Sequence, residues 1–417
     1  MPPHRTITLD RWSGALWGGF LLGLAPQAAG LTHGFYEDDF TWLGGVIRAG
    51  NSPLSILAPW KTYEIRTLPQ ALFYLEYRLF GLHPLGYNLT SLLLHLGCAF
   101  LVARLASLAG LTRKLSLASG VLFFAGLGHY AKPMTWACAQ VILLGTLFTL
   151  WAVAEFLRRR DPTGPRDDRR FPYVPVLLLA AAIASHEIVI LAPFGLAFLA
   201  YRLRDPRRRS ILAVGAAMSL LYGLITLRVH LRHPVASATV ITPFWNLVHF
   251  PAAFLAPPQI MHVLQRFSPG SRIPSPLFSV WNGLVWVAGV VVVVAAILIA
   301  IRTTPPLRRL MAIGLLVFLP VLPMPMPGNW VEARYLYPTS AFLAPALCAG
   351  VAGLFRSLSR AKAAALAGAL AFWALAILAG SSYMQKQAHD ISADPRNQRR
   401  LEFIRTCQAN PELLAEP

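Results

Sequence analysis

The chain has 417 residues, of which 56% are hydrophobic and 13% charged, and a formal net charge of +19. Its mean hydropathy of +0.53 implies more apolar surface than a soluble core could bury, which excludes a water-soluble globular domain. The arginines recur in clusters between apolar runs, which excludes a nucleic-acid-binding patch as the source of the charge. The composition therefore predicts a polytopic helical membrane protein.

Apolar runs long enough to cross a bilayer begin close to the N-terminus. The first predicted span covers residues 12–31, and its N-terminus is expected in the cytoplasm because no small-residue cleavage site follows the basic start. Basic clusters then mark the cytoplasmic ends of later spans. These spans are predicted at residues 85–109, 115–128, 135–157, 210–229, 280–301, 310–322, 339–355 and 363–383.

Basic clusters flank residues 171–201 on both sides, so this stretch is expected to begin and end in the cytoplasm. About thirty residues are too few for two full crossings at about 1.5 Å per residue. We predict two short re-entrant helices at 173–184 and 188–201, with Ser185, His186 and Glu187 at their apex. The predicted fold class is all-α, with about 11 transmembrane helices, two of them short.

This topology predicts one transmembrane domain, residues 1–383, followed by a short external tail, residues 384–417. Two large external loops are expected at residues 32–84 and 230–278. The Ala- and Arg-rich, Lys-poor composition favours a GC-rich bacterial source, so we expect the inner membrane, with the C-terminus in the periplasm.

Glu37, Asp38 and Asp39 stand just beyond the first span. Ionised carboxylates at a lipid boundary need water, a metal or a cationic partner, so they are candidates for function. The alternative is a solvated loop in which Asp38 or Asp39 accepts backbone N–H bonds at the start of a helix over residues 41–47. The sequence leaves both interpretations open.

Several other polar groups are predicted to face the same external side. Arginine can bind a phosphate leaving group through paired charge-assisted bonds while a carboxylate takes the proton of an acceptor hydroxyl. That combination suits transfer of a sugar from a lipid phosphate. The groups are Asp38, Asp39, Arg66, Lys132, Glu187 and Arg334.

Motifs for other chemistries are absent from the sequence, which contains no P-loop, GxSxG or HExxH pattern. The four cysteines have no spacing that suggests a disulfide framework or a zinc site. A divalent cation could help to neutralise a phosphate, but no ligand cluster in the sequence requires one. His95 lies among leucines on a predicted span, and we expect it to be a buried, hydrogen-bonded helix contact.

Several short segments occur in the order found in one glycosyltransferase superfamily. They are the acidic pair at 38–39, Arg66-Thr67-Leu68-Pro69, residues 81–95, Ser185-His186-Glu187, and Arg334-Tyr335-Leu336-Tyr337-Pro338. Together they resemble the GT-C superfamily, which uses polyprenyl-phosphate sugars. The nearest branch is the transmembrane part of the TMTC-type O-mannosyltransferases and their bacterial relatives.

The resemblance implies a role for each matching residue. Asp38 or Asp39 would be the catalytic base, with Asp38 favoured because the family's catalytic acid leads its acidic pair. His186 stands where the family has lysine, and Ala333 where it has glutamate, for which Glu332 is a candidate substitute. The residues expected to bind the donor phosphate are Arg66, Arg334, His186 and Lys132, and those expected to support them are Glu187, Glu332 and Tyr335.

The expected function is therefore an inverting glycosyltransferase that moves a sugar from a polyprenyl-phosphate donor to a protein, lipid or glycan acceptor on the external face. The alternative is a non-enzymatic carrier or flippase for a lipid-linked saccharide. A carrier predicts ionisable residues along the middle of several spans, whereas an enzyme predicts charge collected at one face. The span interiors are nearly free of charge, which favours the enzyme.

Overall fold

A computed structural model describes residues 11–50, 66–125, 136–159, 171–232, 301–322 and 333–414, with a few isolated positions between them. Within these ranges the regular elements are all helical. Lys132, Glu332, the predicted span at 280–301 for the most part, and nearly all of the second external loop lie outside the described residues.

Thirteen α-helices are present in the described ranges. Gly50 and Gly81 end the second and third of them in a left-handed conformation, with φ of 55° and 56°, which favours glycine. The helices are α1 (Arg11–Gly30), α2 (Asp39–Ala49), α3 (Thr67–Phe80), α4 (Pro84–Leu108), α5 (Arg113–Ala125), α6 (Gln140–Arg158), α7 (Tyr173–Ile183), α8 (Ala192–Arg202), α9 (Arg208–Arg232), α10 (Pro305–Phe318), α11 (Tyr337–Ser357), α12 (Arg360–Ala393) and α13 (Pro395–Ala409).

Every predicted span that falls in the described residues overlaps a helix, and the bounds agree to within about five residues except at the end of the last span, where α12 continues to Ala393. Within the part of the chain that the structure describes, four helical stretches are long and apolar enough to cross a membrane, namely Pro84–Leu108, Ala137–Arg158, Arg208–Ile225 and Arg334–Ser357. The stretches Leu16–Ala25 and Tyr173–Ile183 are apolar but shorter. The chain therefore has the helical, apolar architecture of a membrane protein.

Helix α4 lies at the centre of the helix packing, in contact with α3, α5, α6 and α11. A Cβ atom built on Gly120 of α5 would lie 2.8 Å from the Ala99 carbonyl oxygen of α4, so the two backbones approach as closely as small residues allow. His95 of α4 is fully buried, with Nδ1 2.8 Å from the Tyr337 hydroxyl and Nε2 3.1 Å from the Phe124 carbonyl. The prediction of a buried helix-contact histidine is confirmed.

The predicted re-entrant hairpin consists of α7 and α8 with a 3₁₀ turn, Glu187–Val189, between them. Each helix has 11 residues, too few to cross a bilayer about 30 Å thick at 1.5 Å per residue. The prediction of two short helices on either side of His186 and Glu187 is confirmed.

Residues 32–84, predicted to form an external loop, are more regular than a loop would be, because α2 and α3 lie within them. Both helices bury one face, and the Trp42 ring contacts the Phe73 ring edge to face with centroids 5.4 Å apart. Trp42 is only 3% exposed, so it does not offer a face on which a sugar could stack. The loop is therefore a packed helical layer that carries Asp38 and Asp39.

The C-terminal tail packs on this layer. Helix α12 does not end near the predicted end of the last span at residue 383 but continues to Ala393, where Asp394 accepts a bond from the Arg396 N–H and starts α13. Helix α13 packs against α2, and the Arg400 guanidinium lies 5.9 Å from the centre of the Phe40 ring.

The helix ends that the topology assigned to the external side lie together. The Asn88 side chain, near the start of α4, donates to the carbonyl oxygens of Leu31 and His33 just after α1. A Cβ atom on Gly34 would lie 3.1 Å from the Ser392 Cβ at the end of α12. The end of α1, the start of α4 and the end of α12 thus share one side of the molecule.

Candidate active site

Trp136 contacts both the acidic loop, residues 36–39, and the segment that contains Arg334. The Tyr36 ring, three residues before Asp39, stacks near Trp136 with centroids 6.2 Å apart. The Arg334 guanidinium lies 4.7 Å from the centre of the Trp136 ring, within cation–π range. Two segments that are almost three hundred residues apart in the sequence thus meet at one indole.

Asp39 is the buried acid of the pair, with 1% exposure. Its Oδ1 accepts the Cys138 N–H at 2.9 Å, and its Oδ2 accepts the Tyr36 N–H at 3.2 Å. Burial raises the pKa of Asp39 to about 7, against the opposing effect of these hydrogen bonds. Asp39 therefore fastens the acidic loop to the 3₁₀ turn that precedes α6.

Asp38 occupies a different environment although it is the adjacent residue. It is the N-cap residue of α2, yet its side chain makes no capping hydrogen bond, so the capping interpretation does not hold for Asp38. Its side chain is partly exposed, whereas Asp39 is enclosed. The preceding residue, Glu37, has a φ of 50°, a left-handed conformation that is uncommon for a residue with a Cβ atom and that turns the chain at this point.

Arg66 forms a two-point ion pair with Glu187 at the apex of the short-helix hairpin. Its Nη2 lies 2.7 Å from Glu187 Oε1 and its Nε lies 3.3 Å from Oε2. Burial raises the pKa of Glu187, but the charge of Arg66, its hydrogen bonds and smaller effects of neighbouring groups together outweigh burial and hold that pKa well below its usual range. Glu187 is therefore an anion at any working pH, and the pair fixes the first loop to the hairpin.

His186 is neutral in this setting. Burial, together with the smaller effects of the Arg66 and Arg334 charges, lowers the pKa of its imidazole to about 3 against the attraction of Glu187. Its Nδ1 accepts the Ile188 N–H at 3.0 Å, so the ring proton is on Nε2. His186 can thus donate one hydrogen bond to a phosphate but supplies no positive charge.

Tyr335 completes the connection between the two halves of the site. Its ring lies edge to face with His186 at 6.3 Å, and its hydroxyl accepts from Arg334 Nη2 at 3.3 Å. Apart from Asp38, the predicted site residues that the structure describes therefore belong to one chain of contacts. The chain runs from Asp39 through Tyr36, Trp136, Arg334, Tyr335 and His186 to Glu187 and Arg66.

Two parts of this arrangement were missed by sequence reasoning. Tryptophans near the ends of membrane spans are common as part of an aromatic belt, so the position of Trp136 in the sequence did not indicate that it contacts Arg334.

Glu76 of α3 is 2% exposed and accepts a 2.9 Å hydrogen bond from Gln140 Nε2 at the start of α6. Burial raises the pKa of Glu76 to about 8. No motif pointed to this buried carboxyl, although a glutamate between apolar residues of an amphipathic helix was a signal.

The described residues contain no group of three or more His, Cys, Asp or Glu side chains that could hold a metal ion. Lys132 and Glu332 lie outside the described residues, so their predicted roles stay predictions.

Comparison with known proteins adds no further assignment: no protein-family model, curated protein or solved structure matches this chain.

Proposed function

We propose that the protein is an inverting glycosyltransferase that moves a sugar from a polyprenyl-phosphate donor to an acceptor on the external face of the membrane. The observation that carries this proposal is the meeting of Arg66, Glu187, His186, Arg334 and the acidic loop in one continuous set of contacts. This set combines two guanidinium groups, a neutral hydrogen-bond donor and carboxylates, which is what phosphate departure and hydroxyl activation require.

Asp38 is the general base in this proposal. It is partly exposed, whereas both oxygens of Asp39 already accept backbone N–H bonds. The acceptor hydroxyl gives its proton to Asp38 as its oxygen bonds to the anomeric carbon. The bond from that carbon to the phosphate oxygen breaks at the same time, and its electron pair leaves with the phosphate. Inversion follows from this single in-line displacement.

Arg334 is the main phosphate ligand, because Trp136 and Tyr335 hold its guanidinium between two ring faces. Arg66 acts together with Glu187, since their ion pair sets the position of both groups and limits how far Arg66 can move. His186 donates from Nε2 to a phosphate oxygen. Lys132, which precedes α6 in the sequence, supplies a further positive charge in this proposal.

The proposal includes the finer topology. About eleven helices cross or enter the membrane, α7 and α8 enter from the cytoplasmic side, and the C-terminus is external. The residues of the acidic loop, the hairpin apex and α13 then lie at the periplasmic face of a bacterial inner membrane, where a lipid-linked donor presents its sugar.

Transfer by the purified protein in lipid, with a panel of undecaprenyl-phosphate sugars, tests this function. Asp38→Asn should lower turnover about 100- to 10,000-fold, because the amide keeps the size of the side chain but has no proton affinity. Glu37→Gln is the matched control, an amide in place of the adjacent exposed acid, and should retain activity. Wild-type protein that translocates the lipid-linked sugar across the bilayer but transfers it to no acceptor would identify the carrier instead.

A further inference from the structure

Asn88 and His95 lie on one face of α4, and their side chains bond to two different segments of the candidate site. The two residues are seven positions apart, which is close to two turns of an α-helix. Asn88 donates to the carbonyl oxygens of Leu31 and His33, in the segment that leads into the acidic loop. His95 bonds to Tyr337, the first residue of α11. Helix α4 is therefore a common support for two parts of the site.

The direction of the two hydrogen bonds of His95 follows from its partners. A carbonyl oxygen can only accept, so Nε2, which lies 3.1 Å from the Phe124 carbonyl, carries the ring proton. Nδ1 is then the acceptor, and the Tyr337 hydroxyl donates to it at 2.8 Å. Phe124 lies in the last turn of α5, where carbonyl groups have no N–H partner within the helix. His95 thus joins α4 to the end of α5 and to the start of α11.

This contact between three helices is enclosed by packed side chains. His95 and Tyr337 are both 0% exposed, and the Tyr337 ring lies edge to face with Phe123 at a centroid distance of 5.1 Å. A buried hydroxyl that loses its partner has no water to replace it, so the bond to His95 holds Tyr337 in one orientation. Two apolar side chains could fill the same space, but a satisfied polar pair also specifies a single geometry.

No loop separates Tyr337 from Arg334. The 3₁₀ turn Ala333–Leu336 runs directly into α11, and residues Arg334–Ser357 form one helical stretch. Three residues at about 2 Å per residue place the two residues about 6 Å apart along the helix axis. Pro338, the second residue of α11, restricts the backbone of the residue before it. A displacement of Tyr337 is therefore passed on to Arg334, because the chain between them is short and helical.

We propose that His95 is a positioning residue for the phosphate ligand Arg334. By accepting the hydrogen bond of Tyr337 it sets where α11 begins, and it thereby holds Arg334 in the place where the guanidinium meets the donor phosphate. In this role His95 contacts no substrate and acts through Tyr337. The contact with a donor phosphate rests on the proposed glycosyltransferase function, but the placement of the turn at residues 333–336 by His95 does not.

Tyr337→Phe removes one hydroxyl group and keeps the ring. With the full-length protein in lipid, the donor KM should rise about three- to tenfold, which corresponds to one lost hydrogen bond, while kcat stays within about twofold. Tyr87→Phe is the matched control, because Tyr87 is also 0% exposed and donates to the Gly81 carbonyl at 2.9 Å. It should leave the donor KM unchanged. In an Arg334→Ala background, Tyr337→Phe should raise the donor KM no further, since the group through which it acts is gone.

Two substitutions of His95 separate positioning from packing. An asparagine carbonyl stands near the place of Nδ1 and can still accept from Tyr337, whereas a glutamine amide reaches the place of Nε2 and can still donate to Phe124. His95→Asn should therefore keep the donor KM close to that of wild type, and His95→Gln should raise it as Tyr337→Phe does. Both variants should lower the melting temperature, because each leaves one of the two bonds unmade.

Hydrogen exchange of the amides at residues 333–336 gives a measurement that needs no donor. In the resting protein, Tyr337→Phe should speed this exchange about three- to tenfold, and Tyr87→Phe should not. Unchanged exchange or an unchanged donor KM in Tyr337→Phe would overturn the proposal, as would equal changes in Tyr87→Phe or a further rise in the Arg334→Ala background. Wild-type protein that transfers no sugar would count against the proposed function alone, and the exchange rates would still decide whether His95 places this turn.

Discussion

The Arg66 guanidinium lies 2.7 Å from a carboxylate oxygen of Glu187, a residue 121 positions further along the chain. Side-chain exposures of 14% for Arg66 and 30% for Glu187 place the pair at the edge of the packed interior. A charge-assisted pair in such a setting is stronger than an exposed one, and loss of one partner leaves the other poorly solvated. The pair therefore joins the segment that leads into α3 to the short-helix hairpin that contains His186.

A double-mutant cycle on this pair should show strong coupling. Arg66→Ala and Glu187→Ala should each cost about 1.5–3 kcal/mol of stability, and the double variant should lose much less than the sum, because the second substitution removes an already unpaired group. Thermal unfolding in detergent measures the three variants against wild type. Additive losses would mean that the two side chains act independently.

Arg334 should govern donor binding. Arg334→Ala removes a charge-assisted phosphate contact worth roughly 1.5–3 kcal/mol, which corresponds to a rise in donor KM on the order of 10- to 100-fold. Arg334→Lys should recover only part of this, because an ammonium group lacks the planar fork that Trp136 and Tyr335 hold between their rings.

Steady-state transfer at varied donor concentration checks this prediction, and Trp136→Phe provides the matched comparison. The smaller ring keeps a π face under Arg334 and should raise the donor KM less than Arg334→Ala does. A donor KM that does not change in Arg334→Ala would leave Arg334 as an anchor at the membrane interface.

The positions of the helices were predictable from the sequence, because hydropathy runs and basic clusters are properties of short stretches of chain. The two short helices on either side of His186 were predicted from the length of the apolar stretch between two basic clusters, and this prediction is confirmed. The meeting of Arg66 with the hairpin segment was expected only in a general sense, as two groups on one side of a membrane. Their pairing as partners depends on tertiary contacts that no local pattern contains.

Helices α2 and α3 show why the loop was less predictable. Their hydrophobic faces are too short to stand out against the prolines and charges around them, and tertiary packing supplies most of the stability of such short helices. Trp136 illustrates a second limit. A tryptophan near a span end satisfies an aromatic belt and an arginine-binding site equally well, so its type and position alone could not separate the two.

Stability should fall as the pH rises from about 5 to 8. Burial raises the pKa of Glu76 to about 8 and that of Asp39 to about 7, both far above their ordinary values. A raised folded-state pKa gives stability that is fully present below the unfolded pKa and is lost as pH rises through the folded one.

Melting temperatures measured across this pH range test whether stability falls as the pH rises. The Glu76→Gln variant isolates the contribution of Glu76, which has the higher pKa of the two acids. The glutamine keeps a carbonyl acceptor for Gln140 Nε2 but cannot ionise, so the variant should lose less stability than wild type between about pH 5 and 8. Parallel curves for the two proteins would mean that Glu76 does not titrate in this range.

Reporter fusions should reveal the topology. Fusions after Arg160, Arg209 and Phe355 should report cytoplasm, and a fusion after Tyr383 should report the outside. Because α13 packs on α2, a fusion after Leu414 should also report the outside. Opposite sides for the fusions after Arg160 and Arg209 would refute the re-entrant hairpin and remove Glu187 from the external face.

Asp39→Asn should unfold the acidic loop more than it impairs proton transfer. Both carboxylate oxygens of Asp39 accept backbone N–H bonds, one from Tyr36 and one from Cys138. An asparagine has one oxygen and one NH₂ group, so one of these two buried N–H groups would face another donor. The loss of that bond should cost about 1–3 kcal/mol.

Asp38→Asn is the control for this effect, since it replaces the adjacent, partly exposed acid by the same amide and should change stability by less than about 0.5 kcal/mol. The two variants should therefore separate, with Asp39→Asn losing melting temperature and Asp38→Asn losing turnover at full stability. Thermal unfolding and transfer measured on the same preparations distinguish them. Full stability in Asp39→Asn together with lost turnover would exchange the two roles and make the buried acid, with its pKa near 7, the base.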